Sequence, residues 1–246
     1  MILSQIVRDV ADLVYPPRCI CCAATADRSA LCADCAAAMT ILEALAACPR
    51  CAAPLGEASG CPYCGGNGIH PFQTIAALGP FRDPLRRLIH RMKYRHGWPL
   101  AEILADRLIL HPPARMVLEQ TDCLVAVPLH GARQFGRGYN QAQSLAGQLA
   151  RRCGIRLARP LVRLKNTLSQ TAVGSRRQRA DNLRHAFGLI HPRAIRGRRV
   201  TVVDDVMTTG ATLKSAALAL KDAQPSSISA LVLAVADQRR RDFQSV

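Results

Sequence analysis

Eight cysteines near the start of the chain share one spacing, used twice. Cys19, Cys22, Cys32 and Cys35 follow C-x₂-C-x₉-C-x₂-C, and Cys48, Cys51, Cys61 and Cys64 repeat it 29 residues later. Each C-x₂-C knuckle sets two thiolates on one side of a tight turn, and two knuckles close a tetrahedron around Zn²⁺ at about 2.3 Å. Pro49 and the Gly65-Gly66 pair supply turn chemistry for such knuckles. The duplication predicts a double zinc ribbon with two zinc ions. Spacing leaves open whether the sites are sequential or interleaved. A closed Cys₄ site keeps no position for water, so both zincs are expected to be structural. Cys21 is a spare between two ligands, and Cys123 and Cys153 read as small core residues.

A second constellation lies far downstream. The apolar run 200–203 leads into Asp204 and Asp205, then into Val206, Met207, Thr208, Thr209, Gly210, Ala211 and Thr212. A buried strand, two adjacent acids and a small-residue loop opening a helix form a place where phosphate meets main-chain N–H groups and hydroxyls at a positive helix end. Gly210 allows backbone approach without a side chain. The acids suit a sugar diol, which donates hydrogen bonds, or Mg²⁺.

Charge points the same way. Residues 1–70 hold 4 Lys/Arg and 6 Asp/Glu, whereas residues 71–246 hold 29 and 11. Between residues 151 and 199 there are 14 basic residues and one acid, Asp181. Such a field favours a polyanion, either nucleic acid or a polyphosphorylated small molecule. Against base stacking, the chain has only ten aromatic residues. Eleven cysteines without a secretory leader favour metal over disulfides and a cytoplasmic protein. No apolar run approaches the ~18 residues of a membrane span.

Periodicity supplies the frame. Residues 1–17 place Ile2, Leu3, Ile6, Val7, Val10, Leu13 and Val14 on one face of an amphipathic helix packed on the body. Residues 18–68 hold the ribbons, a turn-rich run over 65–71 marks a boundary, and residues 71–240 form the larger domain. There the pattern predicts strands over 73–78, 123–127, 156–164, 186–190, 200–203 and 228–235. Helices are expected at 85–92, with Leu85, Leu88, Ile89 and Met92 inward, and at 98–110, 139–153 and 212–221. Residues 165–184 are polar and aperiodic. Alternating strands and helices indicate an α/β fold, a parallel sheet flanked by helices, with ligands at the carboxyl ends of the strands.

Residues 202–213 resemble the phosphoribosyl pyrophosphate signature of type I phosphoribosyltransferases. With the paired ribbons in front, and with Val127-Pro128-Leu129-His130 and Arg137-Gly138-Tyr139-Asn140-Gln141, the chain resembles the competence protein F family over nearly its whole length. The resemblance implies a type I phosphoribosyltransferase fold in which Asp204 and Asp205 hold the ribose hydroxyls with Mg²⁺ nearby. Residues 206–212 would hold the 5′-phosphate, residues 128–138 would form the pyrophosphate loop, and residues 165–184 would be a mobile cover. Candidate clamps for the pyrophosphate are Lys93, Arg133 and Arg137, with Arg176 and Arg179 on the cover. His130 is an acid/base, a phosphate donor or a hydrogen-bonded loop histidine. Implied partners are phosphoribosyl pyrophosphate or a related phosphosugar, single-stranded DNA and proteins of the competence machinery. The acceptor is not legible, and with Ile2 at residue 2 no N-terminal cysteine nucleophile of a glutaminase is expected. The two function classes are a phosphoribosyltransferase and a non-catalytic nucleic-acid-binding protein.

Overall fold

The computed structural model describes residues 16–26, 30–55, 60–61, 63–92, 98–129, 139–164 and 186–236. Strands β1 (Ile75–Pro80), β2 (Cys123–Ala126), β3 (Arg156–Ala158), β6 (Arg199–Met207) and β7 (Ser227–Val235) form one parallel sheet in the order β1-β7-β6-β2-β3. Central β7 is apolar from Ala230 to Val235, and β6 is buried from Val200 to Val203, because both of their faces are covered. One face carries Leu78, Leu124, Val203 and Leu231 against α2 (Leu85–Met92), α3 (Trp98–Leu110), α4 (Pro112–Glu119) and α5 (Gln141–Cys153). The other carries Ile75, Val125, Val202 and Val232 against α6 (Ala211–Lys221). The four residues expected inward on α2 are all buried.

Three expectations change. The single strand expected over 156–164 is two. Arg156 to Ala158 pair with β2, and after Pro160 the chain enters β4 (Leu161–Arg163), which pairs antiparallel with β5 (Phe187–Leu189) in a separate two-stranded sheet. Proline has no N–H to extend the main ladder, so the break falls there. The strand expected over 186–190 therefore belongs to this small sheet. Second, β6 runs through Met207, so both acids lie within the strand and not in the loop after it. Third, α4 follows directly after α3. Periodicity predicts no element over 112–119, and the two leading prolines occupy the first helical positions, where no N–H is needed.

The ribbon module is not a separate body. It contributes a helix, α1 (Ala33–Glu43), whose Met39 and Leu42 enter the same core as Leu78, Phe81 and Leu85. A side chain on Gly79 of β1 would come within 3.2 Å of the Leu42 carbonyl oxygen, so the end of α1 crosses the edge strand at a glycine. Lower down, Ile75 N–H donates to the Arg50 carbonyl at 3.1 Å. Through these contacts the ribbon segment shares the core of the larger domain.

Candidate functional site

The two cysteine quartets are sequential. Cys19, Cys22, Cys32 and Cys35 gather in one place and Cys48, Cys51, Cys61 and Cys64 in another, the sulfurs of each lying within 4.8 Å of one another. Sγ–Sγ separations of 3.6 Å (Cys22 to Cys32), 3.7 Å (Cys48 to Cys64) and 3.5 Å (Cys51 to Cys61) sit close to the roughly 3.8 Å edge of a tetrahedron built on 2.3 Å bonds. The 29-residue repeat is also geometric. The bridge between Arg18 and Thr25 recurs between Ala47 and Pro54, and Ala23 and Ala52 share a left-handed backbone at φ 65° and 56°. Cys19 N–H donates to Ala24 O and Cys48 N–H to Ala53 O in the same way.

The thiols behave as a set that needs a cation. Burial pushes Cys35 and Cys51 up, with neighbouring sulfurs adding to the rise. Burial also opposes ionisation of Cys19, but N–H groups of Cys32, Cys22 and Cys21 outweigh it and bring that thiol down to about 6. Cys61 falls to about 7, burial being outweighed by N–H groups of Cys64 and Tyr63. Four crowded sulfurs cannot all ionise unaided, and Zn²⁺ supplies the missing charge. Spare Cys21 is buried, its thiol 3.8 Å from Pro84 O.

At the carboxyl end of the sheet, Asp204 and Asp205 are half-buried. Asp204 accepts from the N–H of Asp205 at 2.9 Å, and Asp205 from that of Val206 at 2.7 Å. Each carboxylate thus gives one oxygen to the main chain. Burial, and next the Asp205 charge, lift Asp204 well above the usual carboxylate range, while the Arg163 guanidinium works in the opposite sense. Arg163 stands at the end of β4 with its guanidinium carbon 5.5 Å from the centre of the Phe187 ring. Its charge acts on Asp204, an effect that periodicity does not announce, the only signal being its place just before the long polar segment.

Gly210 caps α6 with φ 72°, a left-handed conformation that disfavours a side chain. A Cβ there would meet only ordinary contacts, Met207 Sδ at 3.6 Å and Ile69 Cδ1 at 3.9 Å. Glycine is therefore needed for its dihedral angle and not for protein packing. Thr209 Oγ1 accepts from Ala211 N–H at 3.4 Å, and the helix behind runs 11 residues, presenting its amino end to the turn.

Asn140 belongs to the stretch that carries the family resemblance, and the structure gives it a role. Its Oδ1 accepts from Gln143 N–H at 3.3 Å, capping α5, and its Nδ2 donates to Val127 O at 3.0 Å. One side chain thus ties the end of β2 to the start of α5, fixing both ends of the intervening loop. Neighbouring Gln141 is 2 % exposed, and its Nε2 has no hydrogen-bond partner among the described residues. Asn140→Ala is expected to cost about 1–2 kcal/mol, the loss of a cap plus an unpaired carbonyl. Urea unfolding of the full chain measures it. Asn140→Asp should restore the cap but not the bond to Val127.

Lys93, His130, Arg133, Arg137, Arg176 and Arg179 lie outside the described residues, as do residues 1–15. Among the described residues no helix is long and apolar enough to cross a membrane.

A family model described as a double zinc ribbon domain matches residues 10–65, and one described as a phosphoribosyl transferase domain matches residues 95–245. DNA utilization protein YhgH of Salmonella typhi is 32% identical over 188 residues, spanning 74% of this chain and 80% of its own. Competence protein F of Haemophilus influenzae is 33% identical over 186 residues, spanning 64% of this chain and 81% of its own. Among solved structures, the glutamine phosphoribosylpyrophosphate amidotransferase of B. subtilis, complexed with ADP and GMP, is 17% identical at a TM-score of 0.38, over 58% of this chain and 30% of that one.

Proposed function

The chain belongs to the competence protein F family, a double zinc ribbon joined to a phosphoribosyltransferase domain, and we propose that it binds phosphoribosyl pyrophosphate with Mg²⁺ at the end of β6 and transfers the phosphoribosyl group to an acceptor. The observation that carries this reading is the continuity of two half-sites along one strand and the turn that follows it. Asp204 and Asp205 offer oxygens to a diol, and five residues after Asp205 the left-handed Gly210 opens the amino end of α6 to a phosphate. Hard carboxylate oxygens fit Mg²⁺, and a divalent ion would favour the ionised form that burial opposes at Asp204. Such an ion would neutralise charge on the departing pyrophosphate. The protein's own share is to hold the ribose hydroxyls with the acid pair and the 5′-phosphate with residues 206–212. The charge of Arg163 opposes the rise at Asp204 and can help to balance charge there.

Lys93, His130, Arg133 and Arg137 are the proposed pyrophosphate clamp, with Arg176 and Arg179 on a covering segment. The names of the relatives support a role in DNA utilisation or natural competence, and cysteine quartets built for metal fit the cytoplasm. Incubation with phosphoribosyl pyrophosphate, Mg²⁺ and a panel of bases and amines, followed for pyrophosphate release, tests the catalytic part. Release that depends on one acceptor class identifies it; no acceptor-dependent release over any of them would reduce the proposal to ligand binding.

A second reading, single-stranded DNA binding, rests on how the basic stretch divides. Arg152 pairs with Glu102 and Asp106 at 2.7 and 2.6 Å, and Arg199 with Asp122 at 2.6 Å. Arg156, Arg193, Arg196 and Arg198 are exposed and have no acidic partner among the described residues. They approach or open β3 and β6 at the amino end of the sheet, away from the acid pair. Charge reversal at Arg156, Arg196 and Arg198 should weaken DNA binding and flatten its salt dependence by about 0.7 for each phosphate no longer neutralised. Affinity for phosphoribosyl pyrophosphate should stay unchanged. A salt-insensitive complex, or none at low ionic strength, would remove this reading.

A further inference from the structure

Along the outer edge of β1 runs an apolar groove of about 570 Å³, walled by the chain from Glu43 to Pro54 on one side and by α4 on the other. Two of the seven exposed large apolar side chains among the described residues line it, and two more lie near its lining residues in sequence. Leu45 and Met116 line it, while Leu110 precedes its His111 and Ile41 stands on α1 just before its Glu43. Such clustering differs from the scattered apolar exposure of ordinary surfaces. The floor is an edge strand, and beyond Ile75, whose N–H reaches Arg50 O, its residues Ala77 and Gly79 line the groove. Folded proteins commonly cover such edges with a helix. One polar group is left over. His111 Nε2 lies 3.2 Å from Glu43 O and so carries the proton, leaving Nδ1 as a buried acceptor without a partner among the described residues.

We infer that the groove is the seat of the chain's own first 15 residues, whose apolar face covers the β1 edge. Three observations select this occupant. Residues 1–15 carry an apolar face, Ile2, Leu3, Ile6, Val7, Val10, Leu13 and Val14, that must be buried somewhere. Its span of 13 residues, about 20 Å as a helix, equals the length of the six residues of β1. The tether also reaches. The chain is pinned at Pro17, whose carbonyl accepts from Ala26 N–H at 2.9 Å in the first ribbon. α1 leaves that ribbon at Cys32 and arrives at the groove at Glu43, about 16 Å away. Fifteen helical residues span about 22 Å. A second copy of the chain, or a separate partner, are the competing occupants.

Hydrogen exchange on the full zinc-loaded chain decides between them. Val10→Asp, on the apolar face, is expected to speed exchange of residues 43–54, 74–80 and 110–117 at least tenfold, while Gln5→Asp on the polar face leaves them unchanged. If Val10→Asp fails to fold, Met116→Asp at the exposed groove wall gives the reciprocal reading, tenfold faster exchange in residues 2–14. Unchanged groove exchange in a folded Val10→Asp, or unchanged exchange of residues 2–14 in Met116→Asp, overturns the assignment. Groove protection in the wild type that rises with protein concentration overturns it too, in favour of a second copy.

Discussion

Replacing Cys51 with Ser is expected to release one of two zinc ions and to unfold more than the second ribbon. Apparent binding free energy of a Cys₄ zinc site is about 10–16 kcal/mol, and a hydroxyl is a poor substitute for a thiolate. Cys51 is fully buried and adjoins Ala52, which packs with Phe72 and Ile75 under the sheet. Loss of the site would free Arg50 from Ile75 and loosen β1, so cooperativity of the larger domain should fall as well. Zinc analysis of the wild type should give close to two atoms per chain, and Cys51→Ser close to one, with a lowered and broadened melting transition. Cys21→Ser, at the spare position, should keep both zincs. Fresh wild-type protein that is cooperatively folded without metal would contradict this.

The acid pair should show stability and binding moving in opposite directions. Asp204→Asn with Asp205→Asn is expected to weaken Mg²⁺-dependent phosphoribosyl pyrophosphate binding at least tenfold, about 1.4 kcal/mol. The single change Asp204→Asn should meanwhile raise the melting temperature of the ligand-free protein by about 2–4 °C, roughly 1 kcal/mol for a chain of this size. The sign follows from the raised proton affinity of Asp204. A carboxyl lifted on folding imposes no cost below the ordinary carboxylate range. Its cost grows as pH rises through that range and is full above the lifted value. The melting difference between the Asp204→Asn variant and the wild type should therefore vanish near pH ~3 to 4 and be largest at neutral pH and above. Saturating ligand should reverse its sign at neutral pH. A ligand-free variant less stable than wild type at all pH values would mean that Asp204 is structural.

What the sequence made legible follows from how local each signal is. A zinc knuckle needs two cysteines and a turn, so Cys48 and Cys51 declare it without tertiary context. Likewise the acids, Thr208, Thr209 and Gly210 are contiguous along one strand and turn. The parallel sheet was readable because buried strands are long apolar runs, as β7 is from Ala230 to Val235. Where partners are far apart, the signal is lost. Arg163 acts on Asp204 from β4, a strand that leaves the main sheet after Pro160, so no spacing along the chain announces it. Asn140 matters because its amide finds Val127, 13 residues away. The core shared by α1 and β1 rests on Leu42 meeting Gly79, a contact that periodicity within either element cannot announce.

The most direct test of the central claim is a calorimetric titration of zinc-loaded wild-type chain with phosphoribosyl pyrophosphate, with and without Mg²⁺. One site per chain is expected that needs Mg²⁺, is competed by ribose 5-phosphate, and is lost in Asp204→Asn with Asp205→Asn. Saturable binding that is the same without Mg²⁺ and in the doubly substituted chain, or no binding at all to the folded protein, would contradict it.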